Sequence, residues 1–508
     1  MSGARGRIGT WEHPGVDPDR LDEAPLLRAW VEAQRRLGSG ELRPFTIPGH
    51  KHRSDLIGEV VAGDVPLYGG LAPVREADAL LREAEARTAE RTGADWCRYS
   101  VGGSTQGNQA LLLAVGRPGD TVIVDRTSHR SVLLGLVLSG LRPVWVHPPI
   151  HDTTALPLGM GAGTVADALR EHPDACAVVV TSPTYVGTCA DVGALSDLTR
   201  AAGVPLVVDA AWGAHLGSHP DLPPHPFAAG ADAIVTSAHK TLPALNQGAV
   251  VLARPRAGGG FLDPDRLDRA MDATATTSPS GAILAGIDGA LALLADRGPE
   301  LTGALLDRVR RARTALRAVP GLVAPDVGTF DPGTFDPGTF DPGRFDDAKL
   351  VVLVGGTGAD GLAVDRDLAA AGFALEMADR DLLVPMVTLA DDDAAVAGLA
   401  DALASTIERH RSDPRTTRAA AAWTVRADQV LTPREAFFAE REAVPWAEAA
   451  GRVCGEVVAP YPPGVPLLAP GERITGAVLD ALQRARDEGA RVAYAADPTL
   501  RSVQVVRG

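Results

Sequence analysis

The chain has 508 residues, 45% hydrophobic and 22% charged, with a formal net charge of −15, as in a globular protein of about two to four domains. The acidic balance argues against nucleic acid or an anionic membrane surface as a partner, because both select clustered positive charge. No apolar run approaches the roughly 18 residues of a membrane span, and the N-terminus lacks a signal peptide's apolar segment, so we predict a cytoplasmic protein.

Two amphipathic helices are predicted ahead of the main domain, over residues 21–40 and 75–93. Each has apolar residues at helical spacing and ends at a glycine, which favours helix termination. Between them lies a Gly- and Pro-rich stretch that contains "PFTIPGHKHR" (44–53). We assign residues 1–95 to an N-terminal helical and irregular segment.

Short apolar runs typical of buried strands recur beyond residue 96, and helix-length segments separate most of them. The runs are residues 121–125, 142–146, 175–182, 204–210, 231–237 and 248–253. Strands that are apolar throughout and alternate with helices form a mostly parallel sheet covered on both faces. We therefore predict a large α/β domain over residues 96–290.

Two smaller units are predicted after the large domain. A long helix and two apolar runs, 348–356 and 380–390, indicate a small α+β domain over residues 291–420. Within it, "TFDPG" occurs three times in succession from Thr329 to Gly343. Asp-Pro-Gly is strong turn chemistry, so we predict a surface insertion without a catalytic role. Residues 421–508 are assigned to a C-terminal α+β domain.

Four groups of polar residues are predicted at the carboxyl ends of the strands, where parallel α/β sheets bind ligands. The turn "GGST" (102–105) opens a helix, whose free N–H groups and hydroxyls can hold a phosphate. Asp209 lies in "VPLVVDA", Lys240 lies in "TSAHKT", and His129 lies in "DRTSHRS". Taken singly, each has an ordinary structural explanation, such as a helix cap, a strand-end carboxylate or a surface lysine.

Together, a phosphate-binding turn, an acid and a lysine at one edge of a sheet are the set that holds pyridoxal 5′-phosphate (PLP). A lysine between apolar walls loses its proton readily and forms an imine with the cofactor's aldehyde. The acid keeps the pyridine nitrogen protonated, so that the ring can take up an electron pair. A zinc site at His215, His219 and His225 is a weaker alternative, because prolines interrupt any helix there.

Several longer motifs resemble those of the Orn/Lys/Arg decarboxylase family, which are bacterial PLP enzymes with the aspartate-aminotransferase fold (fold type I). The motifs are "PFTIPGHKHR" (44–53), "GGSTQGNQ" (102–109), "DRTSHRS" (125–131), "SPTYVG" (182–187), "DAAWGAH" (209–215), "TSAHKTLPALNQG" (236–248), "TTSPS" (276–280) and "YPPGVPLLAPGE" (461–472). The last motif resembles the family's C-terminal domain, which general aminotransferases lack.

The resemblance implies a role for each matching residue. Lys240 would carry the cofactor, Asp209 would pair with the pyridine nitrogen, and His129 would stack on the ring. The other residues expected to bind the cofactor are Gly103, Ser104, Thr105, Thr184, Ala211, Ser237 and His239, with Ser278 supplied by the second subunit of a homodimer. Lys240 or His239 would return a proton to Cα. Glu472 is the candidate that binds the substrate's distal cation, with a helix N-terminal carboxylate as its structural alternative.

The function implied is decarboxylation of arginine, lysine or ornithine to the amine and carbon dioxide, as in polyamine biosynthesis. Two alternatives stay open at this point. A PLP-dependent aminotransferase or oxidase would use the same cofactor residues, because those residues do not fix which Cα bond breaks. The second alternative is a catalytically silent relative of the family. Val186 departs from the family pattern, which often has an acidic or aromatic residue there, and this position bears on substrate choice.

Overall fold

The computed structural model describes residues 18–330, 345–419, 421–461 and 464–507. The TFDPG repeat, apart from Thr329 and Phe330, lies outside the described residues. The described helices are α1 (Pro18–Glu23), α2 (Pro25–Gly38), α3 (Ser54–Ile57), α4 (Ala77–Thr92), α5 (Gly103–Val115), α6 (Arg130–Ser139), α7 (Ala162–Glu171), α8 (Val192–Ala202), α9 (Ala238–Thr241), α10 (Pro264–Thr274), α11 (Gly281–Arg317), α12 (Gly361–Ala370), α13 (Asp393–Arg409), α14 (Ala421–Thr424), α15 (Pro433–Phe438) and α16 (Gly476–Asp487). Within this part of the chain, no helix is both long and apolar enough to cross a bilayer.

Strands are found in all three predicted domains. They are β1 (Trp96–Ser100), β2 (Thr121–Asp125), β3 (Arg142–Val146), β4 (Val178–Thr181), β5 (Leu206–Asp209), β6 (Ala233–Thr236), β7 (Ala249–Ala253), β8 (Val352–Leu353), β9 (Met377–Ala378), β10 (Leu382–Val384), β11 (Arg441–Pro445), β12 (Ala459–Tyr461), β13 (Arg491–Ala493) and β14 (Ser502–Val506). Both predicted strands of the small domain are shorter than their apolar runs.

The large domain is built on a seven-stranded sheet in the order β1-β7-β6-β5-β4-β2-β3. The run from β3 to β6 is parallel, and β7 alone is reversed, since it pairs antiparallel with both β6 and β1. The predicted α/β fold with a mostly parallel central sheet is therefore confirmed. Five parallel strands end at one edge, together with β1.

Helices cover both faces of this sheet, because successive side chains of a strand point to opposite faces and pack in different cores. Along β5, Leu206 and Val208 pack in one core, whereas Val207 packs in the other. Helix α5 lies close against the sheet because Gly107 has no side chain; a Cβ there would lie 2.5 Å from Val235. The start of α5 is thereby fixed at the carboxyl edge of the sheet.

Helix α11 joins the large and small domains as one continuous helix, so the predicted boundary at residue 290 falls inside it. Its second half packs with α13 over an antiparallel sheet in the order β8-β10-β9. The C-terminal domain has a separate core around Leu468, Val478 and Val505. In it, two antiparallel strand pairs, β11–β14 and β12–β13, pack with α16.

Candidate active site

The carboxyl ends of the parallel strands open into one cavity of about 170 Å³. Its lining includes a residue at or just after each of five strands, namely Ser104 (after β1), Thr127 (after β2), Thr181 (end of β4), Asp209 (end of β5) and Lys240 (after β6). Sheet topology thus brings together chemistry-bearing residues that are distant in sequence.

A second cavity is larger, about 630 Å³, and lies between the small and C-terminal domains. Arg415 and Glu488 are among its lining residues, and none of the predicted site residues is. The smaller cavity is the candidate active site, because Lys240, two carboxylates and a histidine converge there.

The turn before α5 is held in shape by Ser100 and Gln106. The Ser100 hydroxyl donates to the Gly103 carbonyl at 2.9 Å, and it accepts the Gly102 N–H at 3.1 Å. Gly103 has a φ of 71°, in the left-handed region that favours glycine. A Cβ on Gly102 would lie 2.8 Å from Gln106 Oε1. The turn sets Ser104 at a helix start, where N–H groups and the helix dipole favour an anion.

Asp209 is held by a hydrogen-bond network that the sequence analysis missed. Its Oδ2 accepts from Asn108 Nδ2 at 2.8 Å, and its Oδ1 accepts from the Ala211 N–H at 3.1 Å. Asn108 Nδ2 also donates to Ser131 Oγ at 2.9 Å, and Ser131 Oγ lies 2.9 Å from His129 Nδ1. The network fixes the acid and the histidine relative to each other.

His129 caps α6, and its ring is exposed to the cavity. Its Nδ1 accepts the Ser131 N–H at 3.2 Å, so the ring proton of the neutral form is on Nε2. Burial by the surrounding protein lowers the pKa of His129, as do Lys240 and Arg130, while the Asp209 carboxylate opposes them. A neutral ring is suited to stacking on a cofactor.

Lys240 lies in the short helix α9, directly after β6. Its Nζ is 4.2 Å from the centre of the Trp212 ring, a cation–π contact. Burial lowers the pKa of Lys240, and the carboxylates of Asp209 and Glu376 partly oppose this. A lower pKa increases the fraction of the lysine that is a neutral amine, and the neutral amine is the form that attacks a carbonyl.

Several buried hydroxyls at the same edge of the sheet have no hydrogen-bond partner among the described residues. They belong to Ser128, Thr181, Thr236 and Ser237, which follow or end β2, β4 and β6. An unsatisfied buried hydroxyl costs about 1–3 kcal/mol. Of these four, Thr181 lines the cavity, so a polar ligand bound there would supply a partner for its hydroxyl, as PLP would.

The small and C-terminal domains complete the cavity wall with residues that lie outside the predicted site. Glu376, Met377 and Val384 come from the small domain, and Tyr461, Gly464 and Val465 from the C-terminal domain. Tyr185 and Trp212, both inside the quoted motifs, also line the cavity. Glu376 forms no ion pair with any described residue.

Some predicted cofactor residues lie behind the lining or away from it. Gly103, Thr105, Thr184, Ser237 and His239 do not reach the cavity surface, whereas Ala211 does. Thr184 shares a 2.7 Å hydrogen bond with Thr188, and His239 Nδ1 donates to the Gly248 carbonyl at 2.9 Å. Ser278 is exposed and does not line the cavity of its own chain.

The structure places Glu472, the predicted substrate-binding residue, away from the cavity lining. The side chain is fully buried, and its Oε2 accepts from Arg126 at 2.9 Å and from the Ala469 N–H at 2.7 Å. Arg126 also donates to the Leu467 carbonyl. The pair joins the C-terminal domain to the loop that carries His129.

Two other residues singled out in the sequence, Val186 and His215, do not line the cavity. Val186 is fully buried in a cluster with Phe330 and Phe345, so it does not line the site. His215 pairs with Asp346 at 3.0 Å. Over the described ranges, no group of three or more His, Cys, Asp or Glu side chains is placed to hold a metal.

Comparison with known proteins identifies two matching sequence profiles. Residues 45–332 match "Orn/Lys/Arg decarboxylase, major domain", and residues 416–492 match "Orn/Lys/Arg decarboxylase, C-terminal domain". An arginine decarboxylase of Bacillus subtilis is 31% identical over 474 residues, covering 91% of this chain and 94% of the relative. One from Halalkalibacterium halodurans is 30% identical over 473 residues, with the same coverage of both chains.

Solved structures with the same fold include two bacterial lysine decarboxylases. The Francisella novicida enzyme superposes with a TM-score of 0.76 at 19% identity, covering 95% of this chain and 81% of its own. The Pseudomonas aeruginosa enzyme superposes with a TM-score of 0.76 at 21% identity, covering 95% of this chain and 80% of its own. At this level of identity the likeness establishes the fold.

Proposed function

The chain belongs to the Orn/Lys/Arg decarboxylase family, and from that premise we propose that it decarboxylates arginine with PLP bound at Lys240. The observation that carries the proposal is the convergence of Lys240, Asp209 and His129 on one cavity at the carboxyl edge of the sheet. Arginine is preferred over lysine and ornithine because the arginine decarboxylases named above align along nearly the whole chain.

The cofactor would be held by groups that otherwise lack partners. Ser104, at the start of α5, would bind the phosphate, and the unsatisfied hydroxyl of Thr181, which lines the same cavity, would hydrogen-bond the cofactor. The Asp209 carboxylate would keep the pyridine nitrogen protonated, and the His129 ring would cover one face. Bound there, PLP supplies an electron sink for the bond that breaks at Cα.

Glu376 is the residue proposed to bind the substrate's guanidinium. It is the second carboxylate of the cavity besides Asp209, which the cofactor would occupy. It is exposed to the cavity and forms no ion pair with a described residue. A carboxylate can accept two parallel hydrogen bonds from a guanidinium, which gives both affinity and orientation.

Lys240 is proposed to donate the proton that replaces the departing carboxylate. Lys240 lines the cavity, whereas His239 does not, and its ring donates to a backbone carbonyl. A group must reach the reacting atom within hydrogen-bond distance to act as its acid. This favours Lys240 over His239 among the two predicted donors.

A homodimer is part of the same proposal. Residues 276–278, which include Ser278, are exposed, and the residues next to them pair with the strand-like segment around Pro66. The segment before Pro66 exposes apolar side chains, including Phe45 and Val60. Light scattering should give twice the chain mass, and the expected setting is polyamine biosynthesis in the cytoplasm.

The proposal is tested by reconstituting the purified chain with PLP and measuring the visible absorption band and carbon dioxide release from carboxyl-labelled arginine. Both should be present in the wild type and lost in Lys240→Ala. Borohydride reduction followed by peptide mapping should place the cofactor on Lys240. A wild type without a band, or a label on Lys51 instead, would refute the assignment.

A further inference from the structure

The loop that carries His129 is in contact with the C-terminal domain at both of its ends. Strand β2 precedes the loop and α6 follows it, so the loop spans residues 126–129. The first end is tied to the C-terminal domain by the buried ion pair of Arg126 and Glu472. A second contact with the same domain is made at the other end, by Arg130 of α6.

Arg130 makes this second contact with the ring of Tyr494. The guanidinium carbon lies 4.3 Å from the centre of the ring, a cation–π contact. Arg130 is the first residue of α6, and a cation there opposes the helix dipole, so the position is an unfavourable one for arginine. Its Nε is buried and has no hydrogen-bond partner among the residues that the structure describes. The Tyr494 ring therefore stabilises a charge that the helix itself disfavours.

The backbone of Tyr494 is held in an uncommon conformation. Its φ is 68°, in the left-handed region that a tyrosine rarely adopts. Tyr494 directly follows β13, which pairs with β12. Two residues later, the Ala496 N–H donates to Glu456 Oε2 at 2.6 Å. Contacts on both sides thus fix this backbone, as a strained conformation requires, and they limit where the ring can lie.

The position of the His129 ring depends on the start of α6. Its Nδ1 accepts the Ser131 N–H at 3.2 Å and lies 2.9 Å from Ser131 Oγ, so the ring is bound to the first turn of the helix. The charge of Arg130 also acts on this ring. Burial is the main cause that lowers the pKa of His129, and the charges of Lys240 and Arg130 lower it further. The Asp209 carboxylate opposes them. A contact that holds Arg130 therefore affects both the place of the ring and the charge beside it.

We propose that Tyr494 is a positioning residue for His129: by holding Arg130 at the start of α6, it fixes where the histidine ring lies in the cavity. The inference rests on the proposed function, in which that ring covers one face of PLP. Tyr494 does not line the cavity, so it acts through Arg130 and the first turn of α6. The C-terminal domain thus contributes to the site beyond the residues that it adds to the cavity wall.

The first test is hydrogen–deuterium exchange of the full chain without cofactor. Tyr494→Leu removes the aromatic ring, and amides in residues 130–134 should then exchange about three- to tenfold faster, as expected for loss of a partly exposed cation–π contact. The Ser131 amide is the most direct reporter, because its acceptor is His129 Nδ1. Tyr494→Phe keeps the ring and should keep the exchange rates of the wild type.

Phe438→Leu is the matched control, because it removes a similar contact at the other end of the same helix. The Phe438 ring centre lies 5.4 Å from the guanidinium carbon of Arg434, which donates to the Leu138 carbonyl near the end of α6. This variant should leave exchange in residues 130–134 unchanged.

The second test is an absorbance titration with PLP. Tyr494→Leu should weaken PLP binding about three- to tenfold, whereas Tyr494→Phe and Phe438→Leu should bind PLP as the wild type does. The inference would be overturned by unchanged exchange or unchanged PLP affinity in Tyr494→Leu, or by equal acceleration of exchange in Tyr494→Phe or Phe438→Leu. Because exchange is measured without cofactor, a wild type that fails to bind PLP would count against the proposed function alone.

Discussion

The buried ion pair of Arg126 and Glu472 predicts that Glu472→Gln loosens the C-terminal domain without changing substrate preference. The two side chains are 3% and 0% exposed, and their charged atoms are 2.9 Å apart. Loss of the carboxylate would leave the guanidinium charged, buried and uncompensated. Breaking a buried pair in this way costs about 3–5 kcal/mol.

Hydrogen–deuterium exchange measures this loss region by region. At about 1.4 kcal/mol for each factor of ten, amides in residues 464–475 should exchange about a hundredfold to several thousandfold faster in Glu472→Gln. Glu488→Gln is the matched control, because its pair with Arg380 is 3.2 Å long, with both side chains 45% exposed. An exposed pair contributes about 0–1 kcal/mol, so the control should change exchange less than about fivefold.

Two results would refute this reasoning. Equal exchange rates in the Glu472→Gln and Glu488→Gln variants would show that the buried pair does not hold the domain in place. A change of more than about tenfold in the preference for arginine over lysine, measured as the ratio of kcat/KM values, would return Glu472 to the substrate-binding role.

Three further predictions concern the cavity and its edge. Glu376→Gln should raise KM for arginine about 10- to 100-fold with a smaller change in kcat, because a charge-assisted hydrogen bond contributes about 1.5–3 kcal/mol. Steady-state kinetics measure both constants. The control is Glu59→Gln, which changes an exposed acid outside the cavity and should leave KM and kcat unchanged. Asn108→Leu removes the bond to Asp209 Oδ2 and should weaken PLP binding about tenfold in an absorbance titration, so unaltered affinity would contradict the network's role. Burial raises the pKa of Asp125 to about 6, so the folded chain keeps a proton that the unfolded chain loses near pH 4. The tighter proton binding stabilises the folded state at low pH, and this contribution to the free energy of unfolding is lost as the pH rises through 6. Relative to wild type, Asp125→Asn should gain up to about 3 kcal/mol in urea unfolding between pH 4 and 7, and a constant difference would contradict the assignment.

The parts of the site that could be predicted from the sequence are those on the parallel strands. The strands over 121–125 and 142–146 have the predicted bounds, because each has an apolar run at its centre. Lys240 and His129 each follow such a strand, and Asp209 is the last residue of one. The rule that strand ends meet at one edge was sufficient to bring them together.

The rest depends on how separate domains pack, which local sequence does not encode. Glu376 lies in a short stretch with no motif, and it reaches the cavity because the small domain docks over the sheet. Strand β1 was missed because Arg98 interrupts its apolar character, yet its neighbours in the strand are buried. The sequence around Glu472 is typical of an acidic residue near the start of a helix. Its structural role becomes visible only through its bond to Arg126, which is distant in sequence.

The central claim, that this chain removes carbon dioxide from a basic amino acid at Lys240, is tested most directly by product mass spectrometry. Purified protein with PLP would receive arginine, lysine and ornithine together in air. We predict an amine lighter than arginine by one carbon dioxide, formed by the wild type and absent with Lys240→Ala. A keto acid, a hydroxylated product or no amine from any of the three would contradict the account.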